Sequence, residues 1–443
     1  KILDQFGKSR LQRVSFEIGW VVLGQVLTVV GTLVGVRLLT QRLSTEAYGE
    51  IALALTFAML VNQVVMGPVS SASYRFYAIA HQANELGWFF ASVRKLLFYG
   101  SLVVLGVGCL AGVGLYLAGY GVWIGLLAWT LLFSVASGYG ATFDAIQSSA
   151  RRRAVVTLHS AAFAWGRFIS AIALIAVFGA NSTIAMAGFA LSALAVSFSQ
   201  RCAITRVLES TIEPSTERSR KQEWGPRMIS YGLPFSMWGI PTWAHLSSDR
   251  WALSLFGGPE LTGLYAVAYQ LGFYPVSIVA NMASGFVTPI IFARASSGAE
   301  SARTLAIRLT WITLAITALA TTLVYITADW IVALLVAKEF HSAAIWIPGL
   351  VLAGGLFSAA QFASLGPLSE ENSRKLLVPR ITVAAFGIAG ATGGAAVAGV
   401  WGVVVSLVIV NLLYLLWVLA LAFYSGSIAP QSGQDFTKQS NAT

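Results

Sequence analysis

The chain has 443 residues, 57% of them hydrophobic and only 10% charged, against roughly 25% charged in a soluble globular domain. This composition excludes an ordinary soluble protein and, over so long a chain, requires apolar segments of about 20 residues, the length that crosses a bilayer as a helix, to recur throughout. The formal net charge of +10 takes its meaning from where the cations fall relative to those segments.

In chain order, apolar runs bounded by charges or by Gly, Pro and Asn clusters predict twelve spans. Six lie at about residues 14–39, 46–69, 96–118, 122–143, 157–178 and 183–203. Six more lie at about 229–256, 262–292, 304–327, 345–367, 378–397 and 400–424. The first is too long for a secretory leader and has no small-x-small site after it, so it is expected to be a retained helix. With the N-terminus inside, 23 of the 28 Lys and Arg residues fall on the cytoplasmic side. Arg37, Arg42 and Lys338 fall opposite, and Arg167 and Arg250 inside spans. That bias predicts both termini in the cytoplasm and an even number of spans. The basic charge is then a topology signal, and no nucleic-acid partner is expected.

The longest polar stretch within the membrane region, Arg206 to Arg227, divides six spans from six. The expected organisation is an N-terminal lobe over 1–208, a charged cytoplasmic linker over 209–228, a C-terminal lobe over 229–424 and a cytoplasmic tail over 425–443. An internal echo supports duplication. The segment from Glu46 through Gly49 and Ala52 to Ala54 matches Glu260, Gly263, Ala266 and Ala268 at a shift of 214 residues. The GxxxG pairs Gly31/Gly35, Gly108/Gly112, Gly121/Gly125 and Gly390/Gly394 are expected at close helix contacts.

Several chemistries have no sequence signature. There is no P-loop, HExxH or GxSxG, and no metal-ligand cluster. Cys109 and Cys202 lie inside apolar runs as packing residues, so neither metal nor cofactor is expected. The longest external loop, about 328–344, leaves no room for an extracytoplasmic catalytic domain. A transporter is therefore expected and not an enzyme.

The candidate functional residues are polar groups at helical spacing within spans. The first span carries Glu17, Gly24, Thr28, Gly31 and Gly35 on one side, and the second adds Asn62 and Gln63. The fifth aligns His159, Phe163, Arg167 and Ser170. In the seventh, Trp238, Thr242, His245 and Asp249 share a face, with Arg250 on an adjoining one. Asp249 and Arg250 point about 100° apart on a helix, which makes a direct pair between them less natural, whereas His245 and Asp249, four apart, could meet. Pro234 and Pro241 should weaken the hydrogen-bond ladder there and make this helix a hinge. The eighth span carries Gln270, Tyr274, Ser277, Asn281, Gly285 and Thr288, a stripe that suits a hydrated cavity. Interhelical glue is the competing reading of such a stripe, and an interior hydrogen bond that of either histidine. Arg167 and Arg250 are harder to set aside, because a charge near a helix centre costs about 2.5–3.5 kcal/mol on the insertion scale.

The run from Val36-Arg37 through Leu43 to Glu46-Ala-Tyr48-Gly49 resembles the first-loop signature of Wzx-type polysaccharide flippases. Tyr74-Arg75-Phe76-Tyr77, Tyr231-Gly232-Leu233-Pro234, Ser248-Asp249-Arg250 and Gly263-Leu-Tyr265-Ala266-Val-Ala268-Tyr269 are similar to further elements of that family. The resemblance covers the twelve-helix layout and implies membership of the multidrug/oligosaccharidyl-lipid/polysaccharide (MOP) exporter superfamily, with two six-helix lobes around a central cavity. It implies a bacterial inner-membrane flippase for an undecaprenyl-pyrophosphate-linked oligosaccharide such as an O-antigen or lipopolysaccharide precursor. A monomer is expected, working beside other polysaccharide-assembly membrane proteins. Arg250 and Arg167 would meet the diphosphate, since guanidinium forks onto phosphate. Thr242, His245, Asp249, Gln270, Tyr274, Asn281, Asn62 and Glu17 would line the cavity. Arg37 and Arg75 would anchor loops or lipid headgroups. The alternatives are a cation-coupled multidrug exporter of the same superfamily and a membrane glycan polymerase or ligase.

Overall fold

The computed structural model describes residues 2–211, 224–295, 298–369 and 376–424. Part of the expected linker, 212–223, and the expected tail, 425–443, lie outside the described residues. All described regular structure is helical, as lipid requires of a chain that must satisfy its own backbone donors and acceptors.

The helices run α1 (Ile2–Thr40), α2 (Thr45–Val61), α3 (Gly67–Gln82), α4 (Leu86–Leu117), α5 (Trp123–Ser149), α6 (Arg153–Phe178) and α7 (Ser182–Thr211). They continue as α8 (Trp224–Leu271), α9 (Phe273–Ala295), α10 (Ala299–Leu335), α11 (Ile347–Ser369) and α12 (Leu377–Tyr424). Among the described residues, ten stretches are long and apolar enough to cross a membrane. Two of these contain turns where the sequence placed loops. Gly258 (φ 77°) interrupts α8 between the expected seventh and eighth spans, and Ala398-Gly399 interrupts α12 between the eleventh and twelfth. Gly258 precedes Pro259, which disfavours helical backbone at the residue before it, and a positive φ is open to glycine.

Local sequence accounts for the geometry of α2 and α8. α2 starts at Ser44, whose hydroxyl accepts the Ala47 N–H at 3.2 Å and so satisfies a first-turn donor. It joins α3 through a π-helical turn, Asn62–Met66, closed by the Gly67 N–H on the Asn62 carbonyl. Pro68 follows and has no N–H to continue an α ladder, and the wider turn absorbs that loss. In α8, Pro234 and Pro241 lie in helical backbone, and the non-helical residue in that helix is Gly258.

The chain forms two compact units. The first comprises Lys1–Val267 with Trp330–Ser342. α1 and α6 run parallel here: Trp165 Nε1 donates to the Leu27 carbonyl at 3.0 Å and Thr157 Oγ1 to that of Trp20 at 3.0 Å. A Cβ at Gly31 or Gly35 would strike Trp165 or Phe168, so the first-span glycines are contact points. The segment 330–342 is tied in at the end of α1. Arg37 Nη1 donates to the carbonyls of Ala333, at 3.0 Å, and Val336, capping the last turn of α10, an arrangement that suits cation to helix C-terminus. Thr40 Oγ1 accepts the Ala337 N–H, and Phe340 sits edge-on to Tyr48.

The echoed segments meet inside this unit. A Cβ on Gly49 would strike the Pro259 carbonyl and the Gly263 nitrogen; one on Gly263 would strike the Thr45 carbonyl and the Gly49 nitrogen. The two contacts map onto each other at the 214-residue shift, which makes the contact locally two-fold and self-complementary.

The second unit comprises Ala268–Asp329 with Ala343–Thr443. α9 packs on α11 through Gly354, where a Cβ would come within 3.0 Å of the Phe273 carbonyl. The limbs of α12 touch at Gly394 and Gly402, and Ser406 Oγ donates to the Gly390 carbonyl at 2.8 Å. Of the remaining expected glycine pairs, Gly108 packs on Leu131 and Gly125 on Thr183, while Gly112 and Gly121 have nothing against them.

Candidate functional site

In the first unit, α8 lies antiparallel along α2 and α3 over its whole first limb. Trp224 Nε1 donates to Glu85 Oε2 at 2.9 Å, Tyr231 packs edge-on to Phe76, Gly232 sits on Pro68 and Gly239 on Gln63. One helical stretch further, Trp243 Nε1 donates to the Thr56 carbonyl at 2.6 Å and Trp251 Nε1 to Thr56 Oγ1 at 2.9 Å. Thr56 is thus held by two indoles of α8 while its hydroxyl donates to the Leu53 carbonyl. Gly232 and Gly239, seven apart, lie on one face, and the missing side chains are what let α8 approach the π-helical turn.

This seating sets the position of the intramembrane charges. Asp249 is buried, and its carboxylate has three donors. Oδ1 accepts the Arg250 backbone N–H at 2.8 Å and Arg250 Nη1 at 3.4 Å, and Oδ2 accepts the Tyr265 hydroxyl at 2.6 Å. The Asp249 side chain is 3% exposed and that of Arg250 12%, and Tyr265 is fully buried. The pair that helix geometry makes less natural does form. The Arg250 side chain folds back along the helix, where Nη1 also donates to the Leu246 carbonyl at 2.9 Å, the direction in which long helical side chains lean. This is the one salt bridge among the described residues. His245 is buried on the same limb, and Thr242 donates to the Trp238 carbonyl at 3.0 Å.

Arg167 on α6 is placed differently. Its guanidinium carbon lies 4.6 Å from the centroid of Phe168, 5.8 Å from that of Phe189 and 5.9 Å from that of Phe163. Nη2 donates to Thr32 Oγ1 of α1 at 3.3 Å. Cation–π contacts of this kind attract a guanidinium to the ring faces. Ser170 on the same helix donates to the Gly188 carbonyl at 2.7 Å, and His159 Nε2 lies 3.1 Å from Ser199 Oγ. Both therefore join α6 to α7. Asn62 Nδ2 donates to Ser137 Oγ at 3.1 Å, tying the π-helical turn to α5.

The eighth-span stripe belongs to the second unit. Gln270 is half-buried, Tyr274 and Asn281 are exposed, Ser277 bonds back to the Phe273 carbonyl, and Ser284 and Thr288 pair with each other. The structure therefore gathers Asp249 and Arg250 with Tyr265, keeps Arg167 on another helix of the same unit, and carries Gln270, Tyr274 and Asn281 on the other unit. Arg37 caps α10 and Arg75 is exposed; the side chain of Glu17 lies outside the described residues. Trp243 falls on the seventh-span face that also carries Arg250, whereas Thr56, Trp251 and the Tyr265 hydroxyl escaped the sequence reading. The spacing of Trp243 and Trp251, eight residues and so nearly one face, was the signal available for the indoles. Tyr265 has no such signal, because it reaches Asp249 across the turn at Gly258.

No protein-family model matches the chain, and no curated protein matches it in sequence. Solved structures do match in fold. One, described as the inward-facing conformation of a multidrug resistance MATE family transporter of the MOP superfamily, superposes with a TM-score of 0.66 at 12% identity, over 91% of this chain and 94% of that one. The lipid II flippase MurJ, in an inward closed conformation, superposes with a TM-score of 0.65 at 14% identity, over 94% of this chain and 88% of that one. A variant of the Vibrio cholerae MATE transporter VcmN gives 0.59 at 14% identity, over 92% and 97%. The chain shares the all-helical fold of these structures.

Proposed function

We propose that the chain flips an undecaprenyl-pyrophosphate-linked oligosaccharide from the cytoplasmic to the periplasmic leaflet of a bacterial inner membrane by alternating access, in polysaccharide biosynthesis. The observation that carries this reading is the pair of arginines within apolar helices, each held by groups of the protein. Arg167 lies against aromatic faces, and Arg250 against a buried carboxylate that is itself fixed by Tyr265. A diphosphate crossing lipid needs such cations, because an unpaired anion in a medium of low dielectric is prohibitively costly. The amides and hydroxyls of Gln270, Tyr274, Asn281 and Thr242 supply hydrogen bonds of the kind sugar hydroxyls use, and the seventh-span prolines supply compliance for the motion. The Wzx-type motifs at Arg37, Tyr48-Gly49 and Ser248-Asp249-Arg250 point the same way, as does the fold shared with a lipid II flippase.

The test follows lipid-linked oligosaccharide across inverted membrane vesicles carrying Arg167→Ala or Arg250→Ala, with Arg→Lys companions and rates normalised to folded protein. Either alanine is expected to slow translocation about tenfold or more, and lysine to restore it only in part because its ammonium has no fork. Wild-type rates in both alanine variants would remove these residues from the mechanism. A multidrug exporter is the second reading, favoured by the fold shared with MATE transporters and by the buried acid Asp249.

A further inference from the structure

The second unit contains an open cavity of about 530 Å³ at the junction of α9 and α10, lined mostly by exposed residues and apart from the residues assigned to flipping. Arg294 reaches it from the last turn of α9, and Ser301, Thr304, Leu305 and Arg308 from the first turns of α10. The α10 residues follow the i, i+3, i+4, i+7 pattern that puts side chains on one helix face. Two guanidinium groups and two hydroxyls thus converge with one apolar side chain, at the end of α10 where the helix dipole favours negative charge. Glu300 also lines the cavity, so its own side chains sum to one net positive charge.

The position of the junction narrows the ligand. It lies between the membrane-crossing stretches Trp224–Ala295 and Glu300–Leu335, and so at a membrane boundary, the level of lipid phosphates. Arginine forks match phosphate oxygens, hydroxyls supply further donors, and Leu305 gives the apolar wall that a glycerol or the start of an acyl chain can cover. We propose that this cavity binds the phosphate of an anionic membrane lipid. Free phosphate shares the headgroup chemistry but has no use for the apolar wall.

The test uses the full chain purified from vesicles of phosphatidylcholine with or without phosphatidylglycerol, with retained lipid counted by native mass spectrometry. The wild type is expected to retain phosphatidylglycerol in preference. Arg294→Ala with Arg308→Ala should weaken retention roughly tenfold, with unchanged melting in phosphatidylcholine alone. Glu300→Gln removes a repulsive charge and should strengthen retention severalfold; this gain keeps the proposal testable if the double variant does not fold. Displacement of the lipid by inorganic phosphate would keep the site but overturn the lipid as its source. Equal retention in wild type, double variant and Glu300→Gln would overturn the site.

Discussion

The first limb of α8 and the helix α9 present the same pattern in sequence, polar side chains recurring at steps of three and four, yet they meet different fates. On α8 the polar groups are taken up within the first unit: the indoles of Trp243 and Trp251 by Thr56, the carboxylate of Asp249 by Arg250 and Tyr265. On α9, Tyr274 and Asn281 are exposed and Ser277 bonds only to its own helix. A polar stripe is therefore glue where glycines on the same limb let another helix close on it, as Gly232 and Gly239 do on α8, and an open face where they do not. This separates residues that build the site from residues that are available to a ligand.

The contact at Gly49 is the one most sensitive to substitution. Gly49→Leu places a side chain against the Pro259 carbonyl. Backbone there cannot yield as a flexible side chain can, so the loss should exceed the about 1–3 kcal/mol typical of overpacking and appear as a collapse of monodisperse yield. Asp249→Ala leaves Arg250 without its carboxylate and should cost about 3–5 kcal/mol of stability. Replacing both residues by well-packed apolar groups should cost much less, a difference that melting in detergent resolves. Tyr265→Phe removes one hydrogen bond to the carboxylate and should cost about 1.5–3 kcal/mol, with slower flipping because Arg250 loses its fixed position. Asn281→Ala, on the open face, should stay within about 0.5 kcal/mol of wild-type stability while reducing translocation severalfold. A large stability loss at Asn281 would erase the distinction between the two helices.

The apolar runs made the spanning helices legible, and the breaks at Gly258 and Gly399 fall between expected spans because loops between membrane helices need the backbone freedom that glycine has. The glycine echo at a 214-residue shift was also legible, although its two copies gave no sign that they pack on each other. At the site, the sequence isolated Arg167 and Arg250 through the cost of a charge within a span. It could not supply their partners. The aromatic faces around Arg167 come from Phe189 on another helix as well as from its own, and the Asp249 hydroxyl donor lies beyond a turn. Such pairings depend on helix packing and side-chain direction, which spacing along one helix does not encode.

The most direct measurement reconstitutes the purified chain in liposomes and offers it, in parallel, a lipid-linked oligosaccharide and a cationic dye. The glycan lipid is expected to cross, with no dye export and a fall in crossing of about tenfold with Arg167→Ala. Dye export with no movement of the glycan lipid would contradict this expectation and establish the multidrug reading instead.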